Sequence, residues 1–366
     1  MKEVAIKDIC KKDSSELKQK ELLPEGKYPV FGASGIAGYL DRYHQKKEYI
    51  GIVKDGSGIG RVAFYPAESS LIGTMQYILP KEDYDIRYIG YCLQSLDLSK
   101  YKQGAAIPHI YFRDYGEQLV KVTDNWEEQH SIVSRLDSAF SHIDALKANA
   151  EKQLNEARKL FQAELTECMK PKEGWEEKTL KEVSEIAGEY GLNASSKPFD
   201  GVRYLRITDI TDFGYLNDDK VSANVEDGKK QDELVEGDIL FARTGATVGK
   251  TLVYRKDFGD CLFAGYLIRY RLKKDCILPR FIHYITHSKE YYKWVETNQE
   301  AAAQPNISAK KYNMLFIRYP NIDVQHRIVS HLDSLSSTIR KLEELQQKTL
   351  AECDALKQAM LKEVFE

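Results

Sequence analysis

Two glycine loops hold the residues whose types and spacing could do chemistry. Lys54-Asp-Gly56-Ser-Gly-Ile-Gly60-Arg61 and Arg243-Thr-Gly245-Ala-Thr-Val-Gly249-Lys250-Thr251 share a basic residue, glycines four apart and a second basic residue. The second loop approaches the phosphate-cradling form G-x-x-x-x-G-K-[ST] but is one residue too short, and the first lacks the Lys-Ser/Thr pair. Nucleotide binding is therefore the minor reading. The better one lets glycine backbone come close to a nucleic acid while Lys54, Arg61, Arg243 and Lys250 approach phosphates or base edges. A plain hairpin turn with solvated charges is the bland alternative. His283 and His287 have ligand spacing on a probable helix, but no acidic or cysteine partner completes an H-E-x-x-H motif, so a structural role is favoured. No residue is assigned to a metal or to catalysis. Several of the 23 tyrosines neighbour basic residues, as in Tyr101-Lys102, Lys310-Lys311-Tyr312 and Arg269-Tyr270-Arg271. That interleaving suits a nucleic-acid surface, although most tyrosines pack in cores.

The elements that must position these loops occur twice. Gln129-His-Ser-Ile-Val-Ser-Arg-Leu-Asp-Ser138 and Gln325-His-Arg-Ile-Val-Ser-His-Leu-Asp-Ser334 agree at 8 of 10 positions, 196 residues apart. Gly104-Ala-Ala-Ile-Pro108-His-Ile110 aligns with Ala301-Ala-Ala-Gln-Pro305-Asn-Ile307 at an offset of 197, and the glycine loops align at 189. So long a period is a domain duplication rather than a solenoid. Each copy ends in a long amphipathic segment, with Leu136, Ala139, Ile143, Leu146, Ala150, Ala157 and Leu160 on one heptad seam and Leu332, Leu335, Ile339, Leu342, Cys353, Leu356 and Met360 on the other. Gln153, Gln346 and Thr349 are expected as polar interruptions of those seams. Asn125 and Asn321 are placed to cap the two helices, and Lys170-Pro171 ends the first. Upstream of each helix, the β-like runs Glu48–Val53, Ile239–Ala242, Leu262–Ala264 and Tyr266–Leu272, followed by a helical patch over Pro279–Trp294, predict a mixed α and β domain.

Composition limits the remaining classes. Of 366 residues, 42% are hydrophobic and 30% charged, and no apolar run approaches the roughly 18 residues that a membrane span needs. The N-terminal stretch is polar, so a cytoplasmic location is expected. The six cysteines form no C-x-x-C pair, which argues against a zinc ribbon. With 53 Lys/Arg against 56 Asp/Glu, any basic surface must be a local patch.

The duplicated plan of variable domain, proline segment and E-Q-x-x-I-V-x-x-L-D helix resembles the specificity subunit of Type I restriction-modification systems. Its carriers are Glu128-Gln129, Ile132-Val133, Leu136-Asp137, Gln325, Ile328-Val329, Leu332-Asp333 and Gly174-Trp175, with the domain openings Tyr28 to Gly35 and Tyr204 to Ile210. Val324 and Ile107 depart from the pattern, standing where Glu and Gln are usual. The resemblance implies an α+β fold: two mixed α/β target-recognition domains in tandem (1–124 and 171–320), separated by long antiparallel coiled-coil helices (125–170 and 321–366), with pseudo-two-fold symmetry. It implies a non-catalytic subunit in which each domain reads half of a bipartite double-stranded DNA site. The helices would set the spacer and dock two adenine methyltransferase subunits. Two restriction subunits join where the system cleaves, and there is no membrane partner. This chain would need no cofactor; S-adenosylmethionine belongs to the methyltransferase partner, ATP and Mg to the motor-nuclease partner. The expected DNA contacts are Ser34, Lys54, Ser57, Arg61, Lys102, His109, Arg206, Thr208, Arg243, Thr244, Lys250, Asn306, Lys310 and Lys311. The expected docking residues are Glu128, Gln129, His130, Gln325 and His326. The competing readings are a nucleotide-dependent enzyme built on the glycine loops and a coiled-coil scaffold without a DNA role.

Overall fold

A computed structural model of the 366-residue chain describes residues 1–104, 108–225, 234–299 and 305–366. Residues 105–107 and 301–304 of the aligned proline segments lie outside them. In the first domain β1 (Cys10–Ser14), β2 (Tyr49–Val53), β3 (Val62–Tyr65) and β4 (Met75–Pro80) form an antiparallel sheet in the order β1-β4-β2-β3. All five residues of β2 are buried, which suits a Tyr-Ile-Gly-Ile-Val run covered on both faces. A hairpin of Tyr28–Gly32 and Gly35–Leu40 adds a second, three-stranded sheet. Helix α1 (Ile86–Gln94) starts at Asp85, whose carboxylate accepts from the Arg87 and Tyr88 amides. Helix α2 (Trp126–Cys168) follows.

The second domain repeats this frame. Strands β5 (Ser184–Tyr190), β6 (Ile239–Ala242), β7 (Thr251–Val253) and β8 (Leu267–Leu272) take the order β5-β8-β6-β7, the same topology strand for strand. The expected helical patch is two helices, α3 (Pro279–Ile285) and α4 (Lys289–Asn298), interrupted where Ser288 caps the second. Helix α5 (Ile322–Phe365) closes the chain. The additions differ from those of the first domain: Ser195–Pro198 pairs with Val221–Asn224, and Arg203–Leu205 runs parallel to Cys261–Phe263. Among the described residues no helix is long and apolar enough to cross a membrane.

The expected caps are present. Asn125 Oδ1 accepts from the Glu127 and Glu128 amides, and Asn321 Oδ1 from the Val324 amide. The chain divides into two compact units, residues 1–152 with 345–366 and residues 153–344, so each unit holds one domain and half of each long helix. In the first unit Ile132, Leu136, Phe140 and Ile143 of α2 share a core with Cys353, Leu361 and Phe365 of α5 and with Tyr88, Tyr91 and Ile110 of the domain. Lys147 meets Asp354 at 2.5 Å and Lys357 meets Asp144 at 2.6 Å, the reversed order of an antiparallel pair. In the second unit Phe161, Leu165 and Met169 pack with Leu332, Phe281 and Ile317, and Arg158 reaches Glu343 at 2.7 Å.

One half of the heptad reading is corrected. Leu136 and Ile143 face inward as expected, but Leu146 (58% exposed), Leu160 (71%) and Leu356 (51%) do not. Their places are taken one residue later by Phe161 and by the stems of Lys147 and Lys357, whose ammonium groups reach out to carboxylates, and Phe140 and Leu154 are likewise buried one residue after Ala139 and Gln153. Gln153 is accordingly exposed rather than at the seam.

Candidate nucleic-acid interface

Both glycine loops are the turns of β-hairpins, β2–β3 and β6–β7, and they are built alike. Gly56 N donates to Pro108 O at 2.9 Å and Ile110 N to Lys54 O at 2.9 Å; Gly245 N donates to Pro305 O and Ile307 N to Arg243 O, each also at 2.9 Å. Each turn is thus pinned to the proline segment of its own copy, and the sequence repeat is a repeat of contacts. All four shared glycines have positive φ: Gly56 (84°), Gly60 (83°), Gly245 (69°) and Gly249 (89°). The second glycine of each pair serves packing within the chain, not approach to DNA. A Cβ on Gly60 would stand 2.9 Å from Ser99 N, and one on Gly249 would stand 2.9 Å from a Val295 methyl. Gly56, by contrast, faces open space.

The P-loop reading fails on this geometry. A strand, not a helix N-terminus, follows each turn. Thr251 is buried with its hydroxyl bonded to Thr286, and the Lys250 ammonium lies 2.6 Å from Asp212.

In the second domain Arg206, Thr208 and Arg243 come together in a cleft of about 640 Å³ with Tyr190, Asn193 and Tyr266. The two arginines differ in availability. Arg206 is held by Asp209 (2.7 Å) and Asp219 (2.6 Å), which raise its pKa and neutralise its charge. Arg243 donates to the neutral Asn306 Oδ1 at 3.2 Å and lies over the Tyr190 ring at 4.9 Å, so among the described residues its recorded partners carry no charge. Thr244 is buried beside it, its hydroxyl without a partner among the described residues. Tyr190, under the Arg243 guanidinium, is 44% exposed, and Tyr266, lining the same cleft, is 57% exposed. Sequence reasoning missed Tyr190, Asn193 and Tyr266, because only exposure separates them from core residues. Lys310 is exposed at the start of a short helix, outside this cleft, and Lys311 is turned inward to Asn298 O at 2.9 Å.

The first domain's candidates are spread wider. Lys54, Ser57, Lys102 and His109 gather near the pinned turn, where His109 and Gln103 exchange backbone hydrogen bonds, Tyr111 packs edge-on to the His109 ring and Arg113 lies over the Tyr111 ring. Ser34 lies in a separate cleft of about 1570 Å³ with Lys18, Lys20, Arg42 and His44. Arg61 folds back toward Gly58 and lines a third, with Lys100 and Lys357.

The docking expectation is corrected for the two glutamines. Gln129 is fully buried: its Oε1 accepts from Asp85 N at 2.7 Å, and its Nε2 donates to Asp83 O (3.1 Å) and Thr123 O (3.0 Å). Gln325 does the same with Leu278 N (2.9 Å), Cys276 O (2.9 Å) and Pro320 O (2.8 Å). Both are internal clamps whose side chains a partner cannot reach. Eight residues on, Asp137 takes Arg87 at 2.7 Å and the Tyr91 hydroxyl, and Asp333 takes Arg280 at 2.7 Å and the Tyr284 hydroxyl at 2.5 Å. Burial pushes the Tyr91 hydroxyl up to about 12 and that of Tyr284 higher, so both stay protonated and donate. The repeated helix motif thus fastens each domain to its helix. Glu128, His130 and His326 remain exposed.

Known proteins give the same reading. The pattern of the family described as Type I restriction modification DNA specificity domain matches residues 1–156 and 172–351. A curated relative, the Type I restriction enzyme StySPI specificity subunit of Salmonella potsdam, is 23% identical over 261 residues, covering 65% of this chain and 55% of that protein. The match therefore spans little more than half of the relative's length. Among solved structures, a chain from a study of complex assembly and conformational transition of the type I R-M system superposes with a TM-score of 0.72 at 17% identity, covering 98% of this chain and 96% of that one. The HsdS subunit from Thermoanaerobacter tengcongensis gives 0.51 at 17% identity, with 98% and 95% covered. With its matched regions spanning both copies of the repeat, this chain belongs to the Type I restriction modification DNA specificity domain family.

Proposed function

We propose that this chain is the non-catalytic DNA-specificity subunit of a Type I restriction-modification complex, in which each domain reads one half of a bipartite site. The carrying observation is a duplicated frame with unlike additions: the same four-stranded order, pinned turn and glutamine clamp occur twice, while the flanking sheets differ. A common frame with different surfaces suits two heads that bind the same kind of ligand and read different bases. Arg243, with Tyr190, Asn193 and Tyr266, supplies groups suited to phosphate or guanine contact, to aromatic packing and to adenine recognition. The long helices set the spacer and dock two methyltransferase subunits, which bring S-adenosylmethionine; ATP and Mg belong to restriction subunits. DNA, two methyltransferase subunits and, where the system cleaves, two restriction subunits are the partners.

Exchanging residues 171–320 for the equivalent domain of a relative, followed by genome-wide mapping of methyladenine in the host, tests this. One half of the methylated motif should change and the other stay. A change in both halves, or in neither, would overturn independent reading.

A further inference from the structure

We propose that Glu164, Cys168 and His331 form a binding site for one borderline-soft divalent cation of the zinc class, bridging α2 and α5 within the second unit. One donor atom from each residue lies within 4.8 Å of the other two, the only such grouping among the described residues. Glu164 Oε1 stands at its centre, 2.9 Å from His331 Nε2 and 3.7 Å from Cys168 Sγ. Glu164 and Cys168 are four residues apart on α2 and so share a face, and His331 comes from the antiparallel neighbour.

The donor set selects the ion. Thiolate, imidazole and carboxylate together suit Zn²⁺ or Co²⁺, whereas Mg²⁺ and Ca²⁺ prefer oxygen alone. Three protein ligands leave a fourth position to water, and the exposure of Glu164 and His331 gives the ion a path in. On binding, the Cys168 S–H bond breaks, a metal–sulfur bond forms and one proton leaves to solvent. His331 binds as the neutral ring through the nitrogen that now faces Glu164, and the carboxylate exchanges its hydrogen bonds for the metal.

The helix pair does not itself demand these residues. At the positions related by the 196-residue repeat, the first unit has Met360, Val364 and Arg135, which offer no such set. The other cysteines supply a control. Cys10, Cys92, Cys261 and Cys353 are buried, and the partly exposed Cys276 lies apart, bonded to Lys273 O.

The full-length chain, stripped of metal with a chelator under reducing conditions, is titrated with cobalt(II) chloride and then with zinc chloride. One equivalent of cobalt should produce a thiolate-to-cobalt charge-transfer band in the near ultraviolet and intense visible bands of a tetrahedral ion, both erased by one equivalent of zinc. Cys168→Ser should abolish the near-ultraviolet band. His331→Ala and Glu164→Gln should each weaken binding by more than the roughly 10–100-fold that loss of an outer-shell partner costs. Cys276→Ser should titrate as the wild type. Circular dichroism establishes that each variant is folded. The site is refuted if the wild type shows no thiolate band, if the band survives in Cys168→Ser, or if His331→Ala and Glu164→Gln bind cobalt as tightly as the parent.

Discussion

Replacing Gln325 with alanine should unfasten the second domain from α5, and the hydrogen bonds set the size of the effect. The side chain is wholly buried and satisfies three main-chain groups, Leu278 N, Cys276 O and Pro320 O. Truncation leaves all three without that partner. At about 1 kcal/mol for each net hydrogen bond, rising toward 3 where a group remains dry, the loss is at least about 3 kcal/mol. For a unit of this size, 1 kcal/mol moves the midpoint by roughly 2–4 °C, so the expected drop is about 6–12 °C. Gln325→Met retains much of the volume but none of the bonds and should lose nearly as much. Gln325→Glu should lose at least as much, because a carboxylate oxygen would then face two carbonyl oxygens. The assay is thermal denaturation followed by circular dichroism, with limited proteolysis to locate the loosened segment. Gln129→Ala should act alike on the first unit. If Gln325→Ala and Gln325→Met kept the parent's midpoint and protease pattern but no longer bound a methyltransferase subunit, the glutamine would be a docking contact and the clamp argument would fail.

Two further outcomes follow from charge. Arg243→Ala should weaken DNA binding and lower the slope of log affinity against log salt by about one unit, while Lys250→Ala, already paired with Asp212, should change the slope less; binding isotherms at several salt concentrations distinguish them. His283 and His287 lie in the second unit with pKa values held below the ordinary 6.5 by burial, so the unfolded chain takes up protons there before the folded one does. Stability should therefore be full above about pH 6.5 and fall as the pH drops below it, and His283→Phe should flatten urea-denaturation midpoints between about pH 7 and 5; an unchanged pH slope would remove the buried imidazole as its cause.

The duplication was legible because identical residues recur at fixed offsets, and the same repeats located both long helices and their asparagine caps. What sequence could not settle was which neighbour of each heptad position turns inward. Leu160 is as apolar as Phe161, and Leu146 and Leu356 are more apolar than Lys147 and Lys357, whose stems replace them, so hydropathy does not choose between neighbours that a rotation of about 100° separates. Phe140 and Phe161 fill the seam because their rings meet Tyr91 and Tyr284 of the domains, contacts that exist only after folding. In the candidate interface the hairpin turns were readable from glycine spacing, but the purpose of Gly60 and Gly249 was not: their close neighbours, Ser99 and Val295, lie 39 and 46 residues away in the chain. Gln129 and Gln325 looked like contacts for another protein because polar recurrence is the same signal whether the partner is another subunit or the chain's own backbone.

The clamps touch main-chain atoms, and that bears on how the gene can change. The groups held by Gln129 belong to Asp83, Asp85 and Thr123; those held by Gln325 belong to Cys276, Leu278 and Pro320. Position for position these side chains have nothing in common, yet each backbone group makes the same bond. At the clamps selection reads the shape of the chain and, apart from Asp85, whose carboxylate also caps α1, is blind to what decorates it. Substitutions can therefore accumulate on the domain side while the helix side stays fixed, and a saturation library should show the two glutamines intolerant amid contacts that, Asp85 apart, are permissive. A domain that arrives from elsewhere with a foreign sequence meets the clamps if it bends its backbone in the inherited way, while its side chains are read by the aspartates eight residues on, Asp137 and Asp333.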